Sequence, residues 1–591
     1  MRTPTLLSRG SRSGAARAGA ARDGAGRHSH GQASARAWPA GLAGAALLIV
    51  GALLSWSYNP AILGNLSLTG NPGGLQVLAI LLGVMAVLLL LTEKGPLRSA
   101  GSWVDAQLGL RALATWTLVY MVGAIAAIAQ QSGGLINVDP GGWVSLAGAA
   151  LLFAASRLAP GPTASGVHDA QVAGRAAERP LPQWVEIVII AAVMAAALFG
   201  AAYALNRSDA WSFLLFGVFL GALVAACARS GVLSWFGLIA ARNRQVLTLA
   251  AFVVAFLFPF TQKGSDANMS IATQVLIFAA TALGLNIVVG LAGLLDLGYI
   301  AFLGSGAYVA AMLSTSTFAT IGWKPPFLVV VLVGACVSAT LGLIIGTPTL
   351  RVSGDYLAIV TLAFGEIFRL AMFNLDGDNG PNLTHGPNGI PGIPDLSVGG
   401  FNFGDTHAVF GVQLARFSNY YFLLLLLIGF VITVFSRLNN SRIGRGWVAI
   451  REDEKAAEAM GVNVFGLKLL AFAGGAFLAG LAGTIKAHQD VSVSPDQYVF
   501  LESAFLLAAI VLGGMGTIAG VLIGATILKL LPEKLRFFSE YRLMIFGLLL
   551  VLMMRYRPEG LVASRRRKLE FHEEDEELAR DIGGRIVQEA S

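Results

Sequence analysis

The sequence predicts an all-α polytopic membrane protein with about 14 transmembrane helices and one re-entrant hairpin. Hydrophobic residues account for 55% of the 591 positions and charged residues for only 13%, a composition that excludes a soluble globular fold. Apolar runs recur along the whole chain, and most are close to the ~20 residues that cross a bilayer core about 30 Å thick. Charged residues concentrate between these runs, where they set the orientation of membrane spans.

Residues 1–39 are predicted to form a disordered basic arm on the cytoplasmic side. The first 36 residues contain seven arginines and one acidic residue, together with many Ser, Gly and Ala. A signal peptide is disfavoured because the charged region is long and many apolar runs follow the first one. The net charge of +7 is spread over short loops and chain ends, so membrane lipid is an expected partner and nucleic acid is not.

Residues 40–262 are predicted to form an N-terminal transmembrane extension of seven spans. The loops after the first and third runs contain no Lys or Arg, whereas those after the second, fourth and sixth runs are basic, which places the N-terminus inside. The loop 157–182 is rich in Gly, Ala, Ser and Pro and is the best candidate for a linker. The seven runs lie near 40–56, 74–92, 112–130, 142–156, 184–205, 211–228 and 246–261.

Residues 263–562 are predicted to form a second membrane domain that contains the hairpin. Residues 501–531 would leave and return to the same side, turning at Gly513 to Gly516, because a single long span would put the basic tail 563–591 outside. Two short spans would satisfy the same parity, but each half is well short of ~20 residues, which favours a re-entrant hairpin. With this parity the long loop, residues 374–418, lies outside, and the charged tail lies in the cytoplasm. The other runs lie near 271–293, 298–315, 325–347, 356–373, 419–437, 464–487 and 541–556.

The polar segment, Arg442 to Asn463, separates two of these spans and falls inside. Its charges exclude it from hydrocarbon, where each unpaired charge would cost several kcal/mol. Good helix formers and a face of small residues predict one helix over Ala449 to Met460 that Gly461 ends. A short surface helix held between two spans is a docking surface for a partner in the aqueous phase.

Metal and disulfide chemistry are not expected. Cys227 and Cys336 lie in apolar runs and belong to no CxxC or Cys/His cluster. The DGDN stretch of the long loop resembles part of a calcium-binding loop, but the bidentate Glu at its twelfth position is missing. Turn chemistry accounts for the glycines and prolines there.

Five blocks, in order and with consistent spacing, carry a family resemblance. They read GLNIVVGLAGLLDLGYIAFLGSGAY, LRVSGDYLAIVTLAFGEIFR, THGPNGI, GRGWVAIREDEKAAEAMGVN and AFLLAAIVLGGMGTIAG, with RPEGL near the end. Over about 270–562 the sequence resembles the permease subunit of branched-chain amino-acid ABC importers, the LivM type. The resemblance implies an ABC importer permease core behind an N-terminal multi-span extension, and transport of Leu, Ile and Val across the inner or plasma membrane.

The resemblance implies that the polar segment contains a coupling helix, residues 445–461, which docks in a groove of a separate ATPase subunit. The family pattern Glu-Ala-Ala-x-x-x-Gly becomes Lys455, Ala456, Ala457 and Gly461 here, so Glu454 or Glu458 would supply the acid. The predicted ATPase-coupling residues are Gly444, Arg445, Arg451, Glu452, Glu454, Lys455, Ala456, Ala457, Glu458 and Gly461.

The implied partners are a second homologous permease subunit, two ATP-binding cassette subunits and an extracytoplasmic substrate-binding protein. The chain has no GxxxxGK[ST] motif, so ATP and Mg²⁺ would be bound by the partner subunits, and this chain is expected to be no enzyme and to bind no cofactor. The GPNGI stretch of the long loop is a candidate contact for the binding protein or a gate, with His385 where the family usually has Gly. Its residues are His385, Gly386, Pro387, Asn388 and Gly389.

Polar residues near or within the spans are candidates for the translocation path. Asp296 either snorkels at a span end or lines a water-filled path, and Glu366 with Arg369 forms either a structural ion pair or part of the path wall. The predicted path residues are Asn286, Asp296, Tyr299, Glu366 and Arg369.

Other functions stay open at this level. The nearest is a urea or short-chain amide ABC importer, which the block GLLDLGYIAF disfavours. An ion-coupled secondary transporter would also have broken helices and intramembrane acids, but it would not need the docking helix. A membrane-embedded enzyme is disfavoured because the spans lack HExxH, paired Asp motifs and a Ser/His dyad.

Overall fold

A computed structural model divides the chain into two compact units, Met1–Val254 and Ala255–Ser591. The predicted arm up to residue 36, residues 159–181 of the predicted linker, most of the run 541–556 and the tail 563–591 lie outside the described residues. The structure describes residues 37–58, 73–94, 104–158, 182–207, 209–262, 264–349, 355–378, 380–409, 411–534, 541, 544, 547–548, 551–552, 555 and 560–562.

The first unit is helical. Its helices are α1 Ala37–Leu53, α2 Gly74–Lys94, α3 Ala106–Ser132, α4 Pro140–Leu158, α5 Gln183–Leu205, α6 Ala210–Arg229, α7 Val232–Arg242 and α8 Arg244–Thr261, the last of which continues past Val254. Helix α3 lies at the centre and packs against α2, α4 and α6. Its N-terminus is capped by Asp105, whose side chain accepts a hydrogen bond from the Leu108 N–H. A Cβ atom on Gly148 would lie 2.5 Å from the backbone nitrogen of Leu48, so glycine permits the close contact of α1 and α4.

The second unit surrounds one central helix, α16. Its helices are α9 Asp266–Asn286, α10 Ile300–Leu313, α11 Phe327–Thr349, α12 Asp355–Asn374, α13 Arg416–Asn439, α14 Arg442–Glu452, α15 Glu454–Ala459, α16 Val464–Asp490, α17 Phe500–Gly513 and α18 Ile518–Lys534. Helix α16 packs against α9, α10 and α11. Glycines bring these helices together: Gly480 meets Gly306 of α10 backbone to backbone, and a Cβ atom on Gly342 of α11 would lie 2.9 Å from the Ala476 Cβ.

Short strands organise the long loop, for which the sequence predicts turns. β1 (Ile390–Pro391) pairs antiparallel with β6 (Ser492–Val493), so the loop is tied to the residues that follow α16. Ile390 lies opposite Val493, and both are buried. The remaining pairs are β2 Ser397–Val398 with β3 Phe401–Asn402, and β4 His407–Val409 with β5 Val412–Leu414.

The all-α polytopic class is confirmed, with a different span count. Twelve helices among the described residues are long and apolar enough to cross a membrane, where the sequence predicts about 14 spans. The runs 40–56 and 298–315 form the shorter apolar helices α1 and α10, and the last run lies largely outside the described residues. The twelfth long helical stretch, Pro495–Gly513, is half of the predicted hairpin.

Residues 500–534 form a helical hairpin, and its re-entrant course through the membrane stays a prediction. Helices α17 and α18 run antiparallel and touch at glycines: Gly513 contacts Gly520, and Gly524 contacts the Ala509 carbonyl. The turn between them has Gly514 and Gly516 at positive φ, a conformation that favours glycine. Leu561 donates a backbone hydrogen bond of 2.9 Å to the Leu512 carbonyl, so the residues after the last run return to the tip of the hairpin.

Candidate functional site

The polar segment forms two helices, and the prediction of one helix over Ala449 to Met460, or over the coupling range 445–461, is wrong. Helix α14 ends at Glu452 and α15 begins at Glu454. Between them Asp453 is extended, with φ −154° and ψ 108°, and its side chain accepts a hydrogen bond of 3.0 Å from the Ala456 N–H. A carboxylate that caps a new helix in this way competes with continuation of the previous one.

Helix α14 is held firmly on the spans that flank it. The Trp447 side chain is 1% exposed, and its Nε1 donates a hydrogen bond of 2.7 Å to the Leu467 carbonyl at the start of α16. Gly446 leaves room for the same leucine, because a Cβ atom there would lie 2.6 Å from the Leu467 Cδ1. At the other end Gly444 packs against the Leu438 carbonyl of α13. A displacement of α14 would therefore be passed to both spans.

Arg451 reaches from α14 to a break in another span. Helix α9 passes into a π turn, Ile287–Leu291, and the chain is then non-helical until α10 begins at Ile300. The Arg451 Nη1 donates a hydrogen bond of 2.7 Å to the Gly290 carbonyl inside that turn. Gly293 adopts φ +73°, and a Cβ atom there would lie 2.8 Å from the Arg451 Cγ. The arginine thus fills the break after α9.

The same break contacts the tip of the hairpin. The Asn286 side chain is fully buried, and its Oδ1 accepts a hydrogen bond of 2.9 Å from the Gly516 N–H. A Cβ atom on Gly290 would lie 2.7 Å from the Gly516 nitrogen. The polar segment, the break in α9 and the hairpin tip therefore form one connected cluster.

Of the other predicted path residues, Asp296 and Tyr299 lie in the break after α9, and Glu366 and Arg369 lie in α12. Asp296 is 1% exposed and its Oδ1 accepts a hydrogen bond of 2.9 Å from the Gly298 N–H, while the buried Tyr299 hydroxyl donates one of 2.6 Å to the Gly475 carbonyl of α16. Glu366 and Arg369 pair within α12, where the Arg369 Nε donates at 3.0 Å to the Glu366 Oε1. Assignment of these residues to a translocation path stays a prediction.

The sequence predicts a small-residue face at Ala449, Ala456, Ala457 and Met460, and all of these except Ala457 are exposed. Ala457 is 5% exposed and points inward, whereas Met460 is 85% exposed. Glu454 pairs at 2.6 Å with the Lys468 ammonium of α16, whose side chain is only 6% exposed. Gly461 adopts φ +83° just after α15, as expected of a glycine that ends a helix. The exposed residues are Arg442, Arg445, Ala449, Glu452, Asp453, Glu454, Lys455, Ala456, Glu458, Ala459, Met460, Gly461 and Asn463.

The predicted contact stretch of the long loop is a rigid turn. His385 adopts the left-handed conformation at φ 57°, which explains why glycine suits this position, and its Nε2 lies 2.8 Å from the Phe318 carbonyl. Gly389 at φ 63° packs against the Val493 carbonyl of β6. Gly386 is buried, whereas Pro387 and Asn388 of the same turn are exposed. The turn therefore presents two residues to the surroundings from a fixed base.

The structure also brings together four charged residues that the sequence analysis did not single out. Lys486, Asp490, Glu502 and Lys529 line a cavity of about 330 Å³ in the second unit, together with apolar residues of α9, α10 and α17. Each lies within or at the end of an apolar helix, where ionisable side chains are costly and usually functional. That signal was available in the sequence. Within the described residues, no group of three or more His, Cys, Asp or Glu side chains could hold a metal ion.

The apolar helices, with charged residues embedded among them, define a multi-pass membrane protein. The family described as "Branched-chain amino acid transport system / permease component" matches residues 268–554. The high-affinity branched-chain amino acid transport system permease protein LivM of Salmonella typhimurium is 40% identical over 341 residues, 56% of this chain and 77% of that protein. The LivM protein of Escherichia coli is 39% identical over 343 residues, which are again 56% of this chain and 77% of that protein. This chain therefore belongs to the family of permease components of branched-chain amino acid transport systems.

A second type of permease protein is also similar to the chain. The high-affinity branched-chain amino acid transport system permease protein LivH of Escherichia coli is 24% identical over 294 residues, 48% of this chain and 91% of that protein. Escherichia coli thus has two homologous permease proteins of this system, which implies a second permease subunit beside a chain of this family. No solved structure matches the chain.

Proposed function

We propose that this chain is one permease subunit of an ATP-driven importer for leucine, isoleucine and valine in the cell (inner) membrane, with both termini in the cytoplasm. The observation that carries the proposal is the connection from an exposed helix pair to a broken span through Arg451 and the Gly290 carbonyl. A transporter that hydrolyses no ATP itself needs such a connection to a partner that does. The substrate class follows from the LivM relatives.

The proposed ATPase contact is the exposed side of α14 and α15. Ala449, Ala456 and Met460 supply an apolar strip, and charged residues of both signs border it. An apolar centre with a charged rim suits a protein interface in which the rim sets orientation. Two ATP-binding cassette subunits, which bind ATP and Mg²⁺, would dock here and on the second permease subunit.

The connected cluster would transmit the movement of the closing ATPase subunits from α14 to the break after α9 and to the hairpin tip. A push on α14 moves Arg451 against the break after α9, and Asn286 links that break to the tip of the hairpin at Gly516. Packed elements with two discrete arrangements convert small shifts at one site into opening or closing at another. Asn286, Asp296 and Tyr299 lie where such a change would act, and Glu366 with Arg369 would line the path from α12.

The proposed delivery side is the opposite end of α16. This helix starts next to the polar segment and ends at Asp490, two residues before β6, which pairs with β1 of the long loop. With 27 residues, α16 is long enough to cross the bilayer, so the polar segment and the long loop would face opposite compartments. The turn at Pro387 and Asn388 would then meet the extracytoplasmic substrate-binding protein.

The test is reconstitution of the chain with its co-purified subunits in vesicles. Labelled leucine should enter only when ATP and the binding protein are present, and mass spectrometry of the purified complex should identify two ATPase subunits and a second permease. Uptake of urea instead of leucine would show that the chain is the permease subunit of a urea or short-chain amide importer. Leucine uptake that follows an ion gradient without ATP would reject the ATPase-driven mechanism.

A further inference from the structure

The cavity of about 330 Å³ lies among five helices of the second unit. Its volume is at the small end of the range for ligand pockets, roughly 300–1,000 Å³. None of the five predicted path residues lines it. Its charged lining comes from α16, α17 and α18, and its apolar lining comes mainly from α9 and α10.

The charged lining consists of two ion pairs. The Lys486 ammonium lies 2.5 Å from the Asp490 carboxylate and donates a further hydrogen bond of 3.1 Å to the Gln497 Oε1. The Lys529 ammonium lies 2.9 Å from the Glu502 carboxylate. The four side chains retain between 20% and 31% exposure, so their charges are accessible from the cavity. The lining thus offers two positive and two negative groups with no net charge.

The rest of the cavity wall is aliphatic and aromatic. Ile277, Ile300, Leu303 and Leu506 are buried and line the cavity, and the Lys529 ammonium lies 4.8 Å from the centre of the Phe278 ring. A wall of this kind takes up a small branched hydrocarbon group. The cavity therefore combines an apolar surface with both signs of charge.

We propose that this cavity is a transient binding site for the aliphatic amino-acid zwitterion that the transporter carries, an inference that rests on the proposed function. The substrate carboxylate pairs with Lys486 and Lys529, its ammonium pairs with Asp490 and Glu502, and its side chain packs against the apolar wall. Balanced charges suit a ligand that has one charge of each sign. A ligand with a single charge meets repulsion from two of the four groups.

Binding at this site is weak for a structural reason. Each lysine already has a carboxylate partner, so the substrate exchanges one ion pair for another and gains little. A transported ligand must leave as readily as it enters, and a path site with low affinity meets that requirement. Selection among amino acids would then occur in the binding protein.

The position of the cavity suits entry from the delivery side. Asp490 and Gln497 flank β6, which pairs with β1 directly after the turn Gly386–Asn388. The hairpin that carries Glu502 and Lys529 has its tip at the break after α9, where Arg451 binds. A movement of that tip would therefore shift the charges of Glu502 and Lys529, and the site would change from binding the substrate to releasing it.

The test uses the complete complex in vesicles and a diazirine analogue of leucine as a photoreactive probe. Illumination should label peptides that contain Ile277, Leu303 or Leu506. The double variant Glu502→Gln with Lys529→Met removes one ion pair while keeping side-chain size, and it should lower labelling and leucine uptake at least about tenfold. The variant Lys486→Met with Asp490→Asn should act in the same way. The matched control is Glu186→Gln with Arg242→Met, an ion pair of the first unit, which should leave both readouts within about twofold.

Labelling confined to other segments, or full uptake by both double variants, would overturn the binding site while leaving the importer function intact. A wild-type complex that takes up no leucine would instead reject the proposed function. Thermal unfolding of each variant in detergent separates lost binding from lost folding. A variant that melts as the wild type does but transports tenfold less supports the site.

Discussion

The Arg451 guanidinium donates a hydrogen bond of 2.7 Å to the Gly290 carbonyl, and this contact joins α14 of the polar segment to the break after α9. A π turn carries the accepting carbonyl away from the regular helical pattern. The arginine therefore binds a backbone group that a continuous α-helix would use internally.

Arg451→Met is expected to reduce ATP-dependent leucine uptake about tenfold or more. A hydrogen bond from a charged donor contributes roughly 1.5–3 kcal/mol, and its loss frees the break from the helix that would move it. The measurement is leucine transported per ATP hydrolysed in vesicles, which should fall more than the ATPase rate. Arg437→Met, at an exposed arginine of α13, is the control, and equal uptake by both variants would reject a coupling role for Arg451.

Gly293→Ala is expected to destabilise the protein more than Gly461→Ala. Both glycines have positive φ, where a Cβ atom costs roughly 1–2 kcal/mol. At Gly293 the added atom also meets the Arg451 Cγ at 2.8 Å, whereas nothing lies within 4 Å at Gly461. Melting temperatures in detergent compare the two, and uptake should fall for Gly293→Ala. A larger loss of stability for Gly461→Ala would contradict the close contact between Gly293 and Arg451.

Glu454→Ala is expected to cost roughly 1–3 kcal/mol of stability, because it leaves the buried Lys468 ammonium without its carboxylate partner. Adding Lys468→Met should recover most of that loss, since the double variant has no unpaired charge in the interior. A double-mutant cycle on melting temperature measures the coupling between the two residues. Additive effects would show that the pair is not an energetic unit.

Met460→Glu is expected to prevent co-purification of the ATPase subunits while leaving the folded permease intact. The side chain is 85% exposed at the end of α15, so the charge costs little in the isolated chain but would be desolvated in an apolar groove. Ile136→Glu is the matched control, because Ile136 is 86% exposed and belongs to the first unit. ATPases retained by Met460→Glu would exclude Met460 from the docking surface.

Most of the membrane architecture could be predicted from the sequence. Each apolar run meets the requirements of the bilayer on its own, because polar groups are costly in hydrocarbon wherever they occur. Run length and loop charge therefore suffice to locate spans such as α2, α3 and α16. The glycine turn of the hairpin, the helix end at Gly461 and the family resemblance over residues 270–562 are also local patterns. The sequence by itself therefore determined the class of protein and the place of the polar segment between two apolar runs.

Only the tertiary structure decided what these parts contact. Arg451 and Gly290 are 161 residues apart, and Asn286 and Gly516 are 230 apart, so no helical or loop pattern relates them. Helix α14 ends before Asp453 because the Asp453 side chain caps α15. Helix propensities do not decide between this cap and one continuous helix. The four charges of the cavity come from three helices, and packing brings into one cavity groups that the sequence scatters.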